Sequence, residues 1–355
     1  MVEMRPSDGI PAFGCLNGLM ADPAVTDVTV TCEGRVWADR GAGMVECHPM
    51  PGFSGPQAVR DFAVQVCSQL GRRLDDASPM ADASTAGGIR LHAVIAPIVP
   101  VGASISIRLP GRDRPGLEGL IGSGLCPPSW YYTLKALVSG RASILISGGT
   151  GSGKTTLLRA LLAECPCADR LVTVEETREL EILPGHADHV ALAIRETNVE
   201  GAGGIDLARL IRATLRMRPD RIILGECRGG EVADLLRAFN SGHRGGMVTL
   251  HADGVERVPA RLATLGLLAG LEPRALSSLA EGAFDAVIHL ERTGGRRRIA
   301  QIGVLALDRQ GSLSGRPLCI WEGAGGARYL SGWAAFARRW GIRTATGTSQ
   351  GRDHE

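Results

Sequence analysis

Gly148-Gly149-Thr150-Gly151-Ser152-Gly153-Lys154-Thr155-Thr156 spells G-x-x-x-x-G-K-T followed by a second threonine. The chemistry this run supports is the holding of phosphate. Glycines let successive backbone N–H groups turn inward onto phosphate oxygens, and a helix starting in the loop adds partial positive charge. Lys154 is spaced to reach β- and γ-phosphates, and the Thr155 hydroxyl to meet Mg²⁺. The flanks supply the context the pattern requires. Ile144-Leu145-Ile146-Ser147 is a β-prone run, and Leu157, Leu158, Leu161 and Leu162 fall at helical spacing. A chance glycine-rich turn is the plain alternative in a chain with 48 glycines, but it leaves the matched flanks without a reason. Among 39 Lys plus Arg, only Lys135 and Lys154 are lysines, so a compact ammonium is kept where a phosphate loop needs one.

Three more stretches end an apolar, β-like run on a titratable side chain: Leu171–Val174 runs into Glu175-Glu176, Ile222–Gly225 into Glu226, and Met247–Leu250 into His251. In an open parallel sheet, ligands bind at the carboxyl ends of the strands, so all three belong beside the phosphate loop. Glu226 occupies a Walker-B position, suited to the water shell of Mg²⁺. Glu175 is placed to act as general base on an attacking water, with Glu176 beside it on metal or water. His251 is spaced to meet a γ-phosphate, although a lone histidine is more often a satisfied polar residue. Arg216, Arg218 and Arg228 flank the Glu226 strand and are candidate cations for the charge that develops there. Adjacent carboxylates are usually a solvated loop, and some of these arginines are expected in ordinary ion pairs.

These groups need an alternation of strands and helices to position them. Asp206 reads as the N-cap of a helix through Leu215 stopped by Pro219, Glu231–Phe239 as a helix, and Val255 to about Ala283 as helical throughout. A hairpin, Ala286–Glu291 with Arg298–Leu305, turns at Thr293-Gly294-Gly295, and its Arg296, Arg297 and Arg298 read as a solvated end. Upstream, Thr26–Thr31 with Arg35–Ala38 reads as a hairpin, Pro56–Leu74 as an amphipathic helix, and Ile89–Ile95 with Ala103–Leu109 as two strands carrying Arg90 and Arg108. The expected organisation is a smaller α+β N-terminal domain (1–110), a Pro- and Gly-rich linker (111–117), an α/β P-loop domain with a parallel sheet (118–308), and a C-terminal extension (309–355) disordered from 342. Within that extension, Arg328–Trp340 carries an aromatic stripe at helical spacing, expected on the protein's own core.

Composition narrows the class. A net charge of +2 gives no field for nucleic acid, and nine scattered cysteines fit a reducing cytoplasm better than a disulfide or zinc framework. No apolar run reaches membrane-spanning length and the N-terminus lacks a signal-peptide core, so any membrane connection is expected through a partner.

In combination the motifs resemble the secretion ATPases of type II and type IV systems. The residues that carry this are Leu215–Glu226, Gly242–Ala252, the acidic box Val172–Thr177, and the histidine box of His243 with His251. Gly88–Val94, Ser106-Ile107-Arg108 and Arg35-Val36-Trp37 resemble the N-terminal domain of the TadA/CpaF branch, which serves tight-adherence (Flp) pilus assembly. The resemblance implies a RecA-like P-loop core in a homohexameric ATPase on the cytoplasmic face of the inner membrane. It implies ATP with Mg²⁺ held by the loop, by Thr155, Glu176 and Glu226, and by Arg90 and Arg108 from the N-terminal domain. It also implies turnover that drives polytopic inner-membrane pilus or secretion proteins. A conjugation-associated or DNA-translocating ATPase is the alternative. Arg244 departs from the resemblance, standing where an acidic residue is usual.

Overall fold

The computed structural model describes residues 13–85, 87–110, 115–180, 185–195, 197 and 202–343. Most of the expected linker, 111–114, and the last twelve residues of the expected disordered tail lie outside the described residues. The chain divides into two compact units, one of residues 1–114 with 177–179 and one of 115–176 with 180–355.

The first unit runs α1 (Asn17–Ala21), β1 (Asp27–Val30), β2 (Val36–Asp39), β3 (Met44–Cys47), α2 (Pro56–Gln69), β4 (Met80–Ser84), β5 (Arg90–Ile95) and β6 (Ala103–Arg108). The strands form an antiparallel sheet in the order β3-β2-β1-β6-β5-β4. One face is covered by α2, whose Val59, Ala63, Val66 and Cys67 are buried at helical spacing in the same cluster as Val28, Val30, Leu91, Ile105 and Ile107. The helix is shorter than expected, because Leu70 caps it and Gly71 takes φ +71°.

The second unit begins with α3 (Leu117–Gly122), α4 (Trp130–Ser139), β7 (Ile144–Gly148), α5 (Lys154–Ala163), β8 (Leu171–Glu175) and β9 (His189–Ala193). It continues with α6 (Leu207–Thr214), β10 (Arg221–Cys227), α7 (Val232–Asn240), β11 (Met247–Leu250), α8 (Val258–Leu268) and α9 (Pro273–Ala283). It closes with β12 (Ala286–Thr293), β13 (Arg296–Leu307), β14 (Leu313–Ile320), β15 (Arg328–Tyr329) and α10 (Trp333–Arg339). Among the described residues these strands form one sheet ordered β15-β14-β13-β12-β7-β11-β10-β8-β9, in which β12 through β9 are parallel. Along β7, Ile144 and Ile146 belong to one apolar cluster and Leu145 to the other, so the strand is buried on both faces and reads as a continuous apolar run. Asp206 caps α6 by accepting the Arg209 N–H at 2.7 Å.

Two stretches differ from expectation. The helical segment after Val255 is two helices, because Gly270 takes φ +69° and Pro273 starts a new first turn. Residues 309–343 are built into this unit rather than trailing from it. There β14 extends the sheet, and α10 begins at Trp333 rather than at Arg328, which pairs in β15. Trp333, Phe336, Ala337 and Ile342 are buried in the same cluster as Leu157 and Ile288. Ile342 thus lies in the core where disorder was expected.

Candidate nucleotide site

The loop that follows β7 is set by its glycines. Gly148, Gly151 and Gly153 have φ of +156°, +69° and +96°, and Gly153 caps α5 in the left-handed region. A Cβ on Gly148 would lie 2.5 Å from both the Leu290 carbonyl oxygen and Ser152 Oγ, so only glycine fits. Gly149 has open space at the same test. Lys154 is 7% exposed, and its ammonium donates to the carbonyls of Gly148 and Gly149, each at 2.9 Å. Burial pushes its pKa down, with Arg228 adding to the effect and Glu226 opposing it. A cation held in a buried loop by neutral carbonyls is arranged for an anion. Ser152 Oγ points the same way, being buried without a hydrogen-bond partner among the described residues.

The register of the parallel strands puts Ser147, Leu250 and Cys227 level with one another at the carboxyl edge. Between Leu224 and Cys227 the β10 ladder carries a bulge against β11, and Thr249 Oγ1 donates to the Gly225 carbonyl at 2.6 Å. The bulge re-aims Glu226. Its Oε2 accepts from Arg228 Nη2 at 2.7 Å, and its Oε1 lies 2.8 Å from His251 Nε2, outside hydrogen-bonding direction. Lys154 Nζ lies 3.3 Å from the same His251 nitrogen. Accepting from Lys154 there requires the tautomer with its proton on Nδ1. Burial first, then Lys154, lowers the His251 pKa and keeps the ring neutral near pH 7. Arg228 also reaches Glu176 Oε2 at 3.0 Å, joining two of the candidate carboxylates.

Glu175 is 4% exposed, both of its oxygens accept the Leu180 N–H at 3.1 Å, and a Cβ on Gly225 would meet its Cγ at 2.9 Å. The structure therefore packs it against the Glu226 strand and holds it by backbone. Thr155 is half-buried and Thr156 exposed at the start of α5. Among the described residues no group of three His, Cys, Asp or Glu side chains could hold a metal by itself. A Mg²⁺ here would lean on phosphate oxygens and the Thr155 hydroxyl, which the loop geometry allows.

Three candidates are not brought to this edge. Arg216 and Arg218 precede β10 and His243 precedes β11, so they lie at the amino ends of strands whose carboxyl ends carry Glu226 and His251. A seven-residue strand separates its two ends by about 20 Å. Arg218 sits there with φ +53°, before Pro219. At that edge the structure shows an ion-pair network that the residue pattern did not signal. Arg221 is fully buried, pairing with Asp169 at 2.7 Å and donating to the Val138 carbonyl, while Arg141 bridges Asp169 and Asp220. In the first unit, Arg90 and Arg108 face each other across β5 and β6, Arg90 pairing with Glu179 at 2.5 Å and Arg108 with Asp27 at 3.1 Å.

Two site residues escaped the residue reading. Arg297 Nε donates to the Gly151 carbonyl at 3.0 Å, and Arg292 Nη1 would lie 3.4 Å from a Cβ on Gly151. The hairpin end is exposed from Arg292 to Arg297, as expected of a solvated tip, and Arg297 of that tip nevertheless reaches the phosphate loop. The signal was the parallel pairing of β12 with β7, which is invisible in local periodicity.

Comparison with known proteins agrees with this arrangement. The family described as type II/IV secretion system protein matches residues 24–296. A putative conjugal transfer protein of Mycobacterium tuberculosis is 40% identical over 316 residues, covering 87% of this chain and 88% of that protein. The conjugal transfer protein TrbB of Rhizobium radiobacter is 32% identical over 286 residues, covering 79% of this chain and 84% of its own length. In structure, the ATPase DotB of Legionella pneumophila superposes with a TM-score of 0.55 at 18% identity, covering 83% of this chain and 80% of that one. The second unit is a RecA-like P-loop core and the first a smaller α+β domain.

Proposed function

The chain belongs to the type II/IV secretion system protein family, and we propose that it is an ATPase motor whose turnover powers transport or pilus assembly through membrane partners. The observation that carries this reading is Lys154, buried in a complete phosphate loop beside His251, Glu226 and Arg228 on one sheet edge. Mg²⁺, when bound with ATP, supplies charge neutralisation on the phosphates. The chain's own groups do the rest. Backbone N–H groups of the loop hold the phosphates, Lys154 leaves the Gly148 and Gly149 carbonyls for the β- and γ-oxygens, and the Thr155 hydroxyl would help hold the Mg²⁺. Glu226 turns the attacking water in line with the γ-phosphorus, and Arg228 steadies Glu226 and Glu176 together. Water oxygen bonds to phosphorus as the β–γ bridge breaks, giving ADP and phosphate, and Glu175 is the proposed acceptor of the water proton. Arg90 and Arg108 are proposed phosphate contacts, and the two-domain division with a hexameric ring is proposed with them. Action at the cytoplasmic side of the membrane is proposed with the family; no helix among the described residues is long and apolar enough to cross a membrane.

The test is Mg²⁺-dependent ATP turnover by the purified protein. Glu226→Gln should lower kcat about 100-fold or more while ADP still binds. Turnover that this change leaves intact would end the proposal. On substrate, the Gly88–Val94 and Ser106–Arg108 motifs support the TadA/CpaF-like pilus branch. The names of the conjugal transfer relatives favour the second reading, a motor of conjugation machinery. ATP-dependent copurification from membranes separates them by whether pilus-platform or conjugation-channel proteins are retained, and DNA-stimulated turnover would identify a DNA translocator.

A further inference from the structure

Arg292 and Arg297 are directly opposed across the β12–β13 ladder, one pair in from a two-residue turn, Gly294-Gly295, with φ of +57° and +79°. Opposed residues of an antiparallel pair share a face, so both guanidiniums project on the same side. Like charges so placed repel, and a solvated tip would relieve this by splaying or by recruiting an acid. Neither happens. Among the described residues neither arginine has an ion-pair partner, whereas Arg298, on the other face, pairs with Glu291 at 3.0 Å. The two cations instead converge on the phosphate loop. Arg297 Nε donates to the Gly151 carbonyl at 3.0 Å, its Cδ would lie 3.2 Å from a Cβ on Gly153, and Arg292 Nη1 would lie 3.4 Å from one on Gly151.

Sheet order gives the direction. The strand β7 has β11 and β10 on one side, carrying His251 and Glu226 to Lys154, and β12 on the other. The reacting end of a triphosphate lies toward His251 and Glu226. Its nucleoside end then lies toward the hairpin. We propose that Arg292 and Arg297 form a second anion-binding wall of this site, holding the α-phosphate and nucleoside end of the nucleotide. A planar guanidinium suits both tasks, forking onto phosphate oxygens and stacking on a purine. This assignment rests on the nucleotide reading above and adds the element that grips ADP as well as ATP.

The experiment is calorimetric binding of ADP and ATP with Mg²⁺ at fixed ionic strength, comparing wild type with Arg292→Ala, Arg297→Ala and Arg296→Ala. Each of the first two should raise the Kd of ADP and of ATP about tenfold, the size of one charge-assisted hydrogen bond. Arg296→Ala, on the opposite face, should bind as wild type does. Unchanged ADP affinity overturns the proposal, and so does an equal loss in Arg296→Ala, which would mean a general charge field. A loss for ATP alone also overturns it, because that places the pair at the γ-phosphate. If an alanine variant fails to fold, Arg297→Lys keeps stem and charge but lacks the fork, and it should still weaken ADP severalfold. A wild-type protein that binds neither nucleotide refutes the ATPase reading itself.

Discussion

Replacing Lys154 by methionine separates what the lysine does for the loop from what it does for a ligand. In the ligand-free loop the ammonium keeps two carbonyl hydrogen bonds, to Gly148 and Gly149, yet burial lowers its pKa, so the site penalises the cation it holds. Losing two charge-assisted bonds costs about 1.5–3 kcal/mol each before desolvation is counted. Removing a buried ammonium returns much of that, leaving a net change within about 1 kcal/mol. A methionine side chain fills nearly the same volume, so little cavity cost is added. For a unit of this size, 1 kcal/mol moves the Tm by about 2–4 °C. Ligand at 100 times its Kd stabilises the native protein by about 2.7 kcal/mol, so saturating Mg-ATP should raise the wild-type Tm by about 5–10 °C. Differential scanning fluorimetry with and without Mg-ATP reads both quantities. Lys154→Met should melt within about 4 °C of wild type when ligand-free and show almost no ATP-induced shift. A ligand-free drop of 10 °C would make the lysine a structural strut, and a preserved ATP shift would remove it from the phosphate site.

Other outcomes test the scaffold. Asp169→Ala should cost about 3–5 kcal/mol in urea unfolding, because it strands the fully buried Arg221 guanidinium. The double change Asp169→Leu with Arg221→Met should recover most of that loss. Trp333→Ala should cost about 3–5 kcal/mol in the same assay, since its ring is buried in the cluster of the P-loop helix. Burial lowers the pKa of His189 and His289 below the usual 6.5, so as pH falls the unfolded chain takes up those protons first. Stability should therefore be flat above that value and decline below it, visible as a lower Tm at pH 5.5 than at 7.5. His289→Gln should flatten part of the slope.

Local pattern made the parallel core readable, because β7, β8, β10 and β11 are buried on both faces and bounded by polar residues. The alignment of Glu175, Glu226 and His251 with the loop followed from placing each at a strand's carboxyl end. The same closeness in sequence misdirected Arg216, Arg218 and His243. They stand beside the right strands at the wrong ends, and only the direction of the chain separates the two. The strands β4 and β9 passed unseen because alanines occupy them, residues with weak strand preference. The hairpin arginines needed strand order, a long-range property. Their facing register was countable from the Gly294-Gly295 turn, but which element lay beneath them was not. The aromatic stripe at 328–340 was legible as a core element and Trp333, Phe336 and Ala337 lie there, whereas β14 and the burial of Ile342 went unread because Gly- and Arg-rich composition resembles a tail.

The strand β13 is twelve residues long; residues 296–303 pair with β12 and residues 301–307 with β14, so it touches the phosphate loop near one end and, at Leu307, pairs with Leu313 at the other. Such a strand spans about 40 Å. A tilt of about 5° at the loop end displaces the far end by about 3 Å, roughly the step from one residue to the next along a strand. A tilt that a bound nucleotide imposed at the Arg297–Gly151 contact would be passed from β12 to β14 through this one strand, toward the far margin of the sheet.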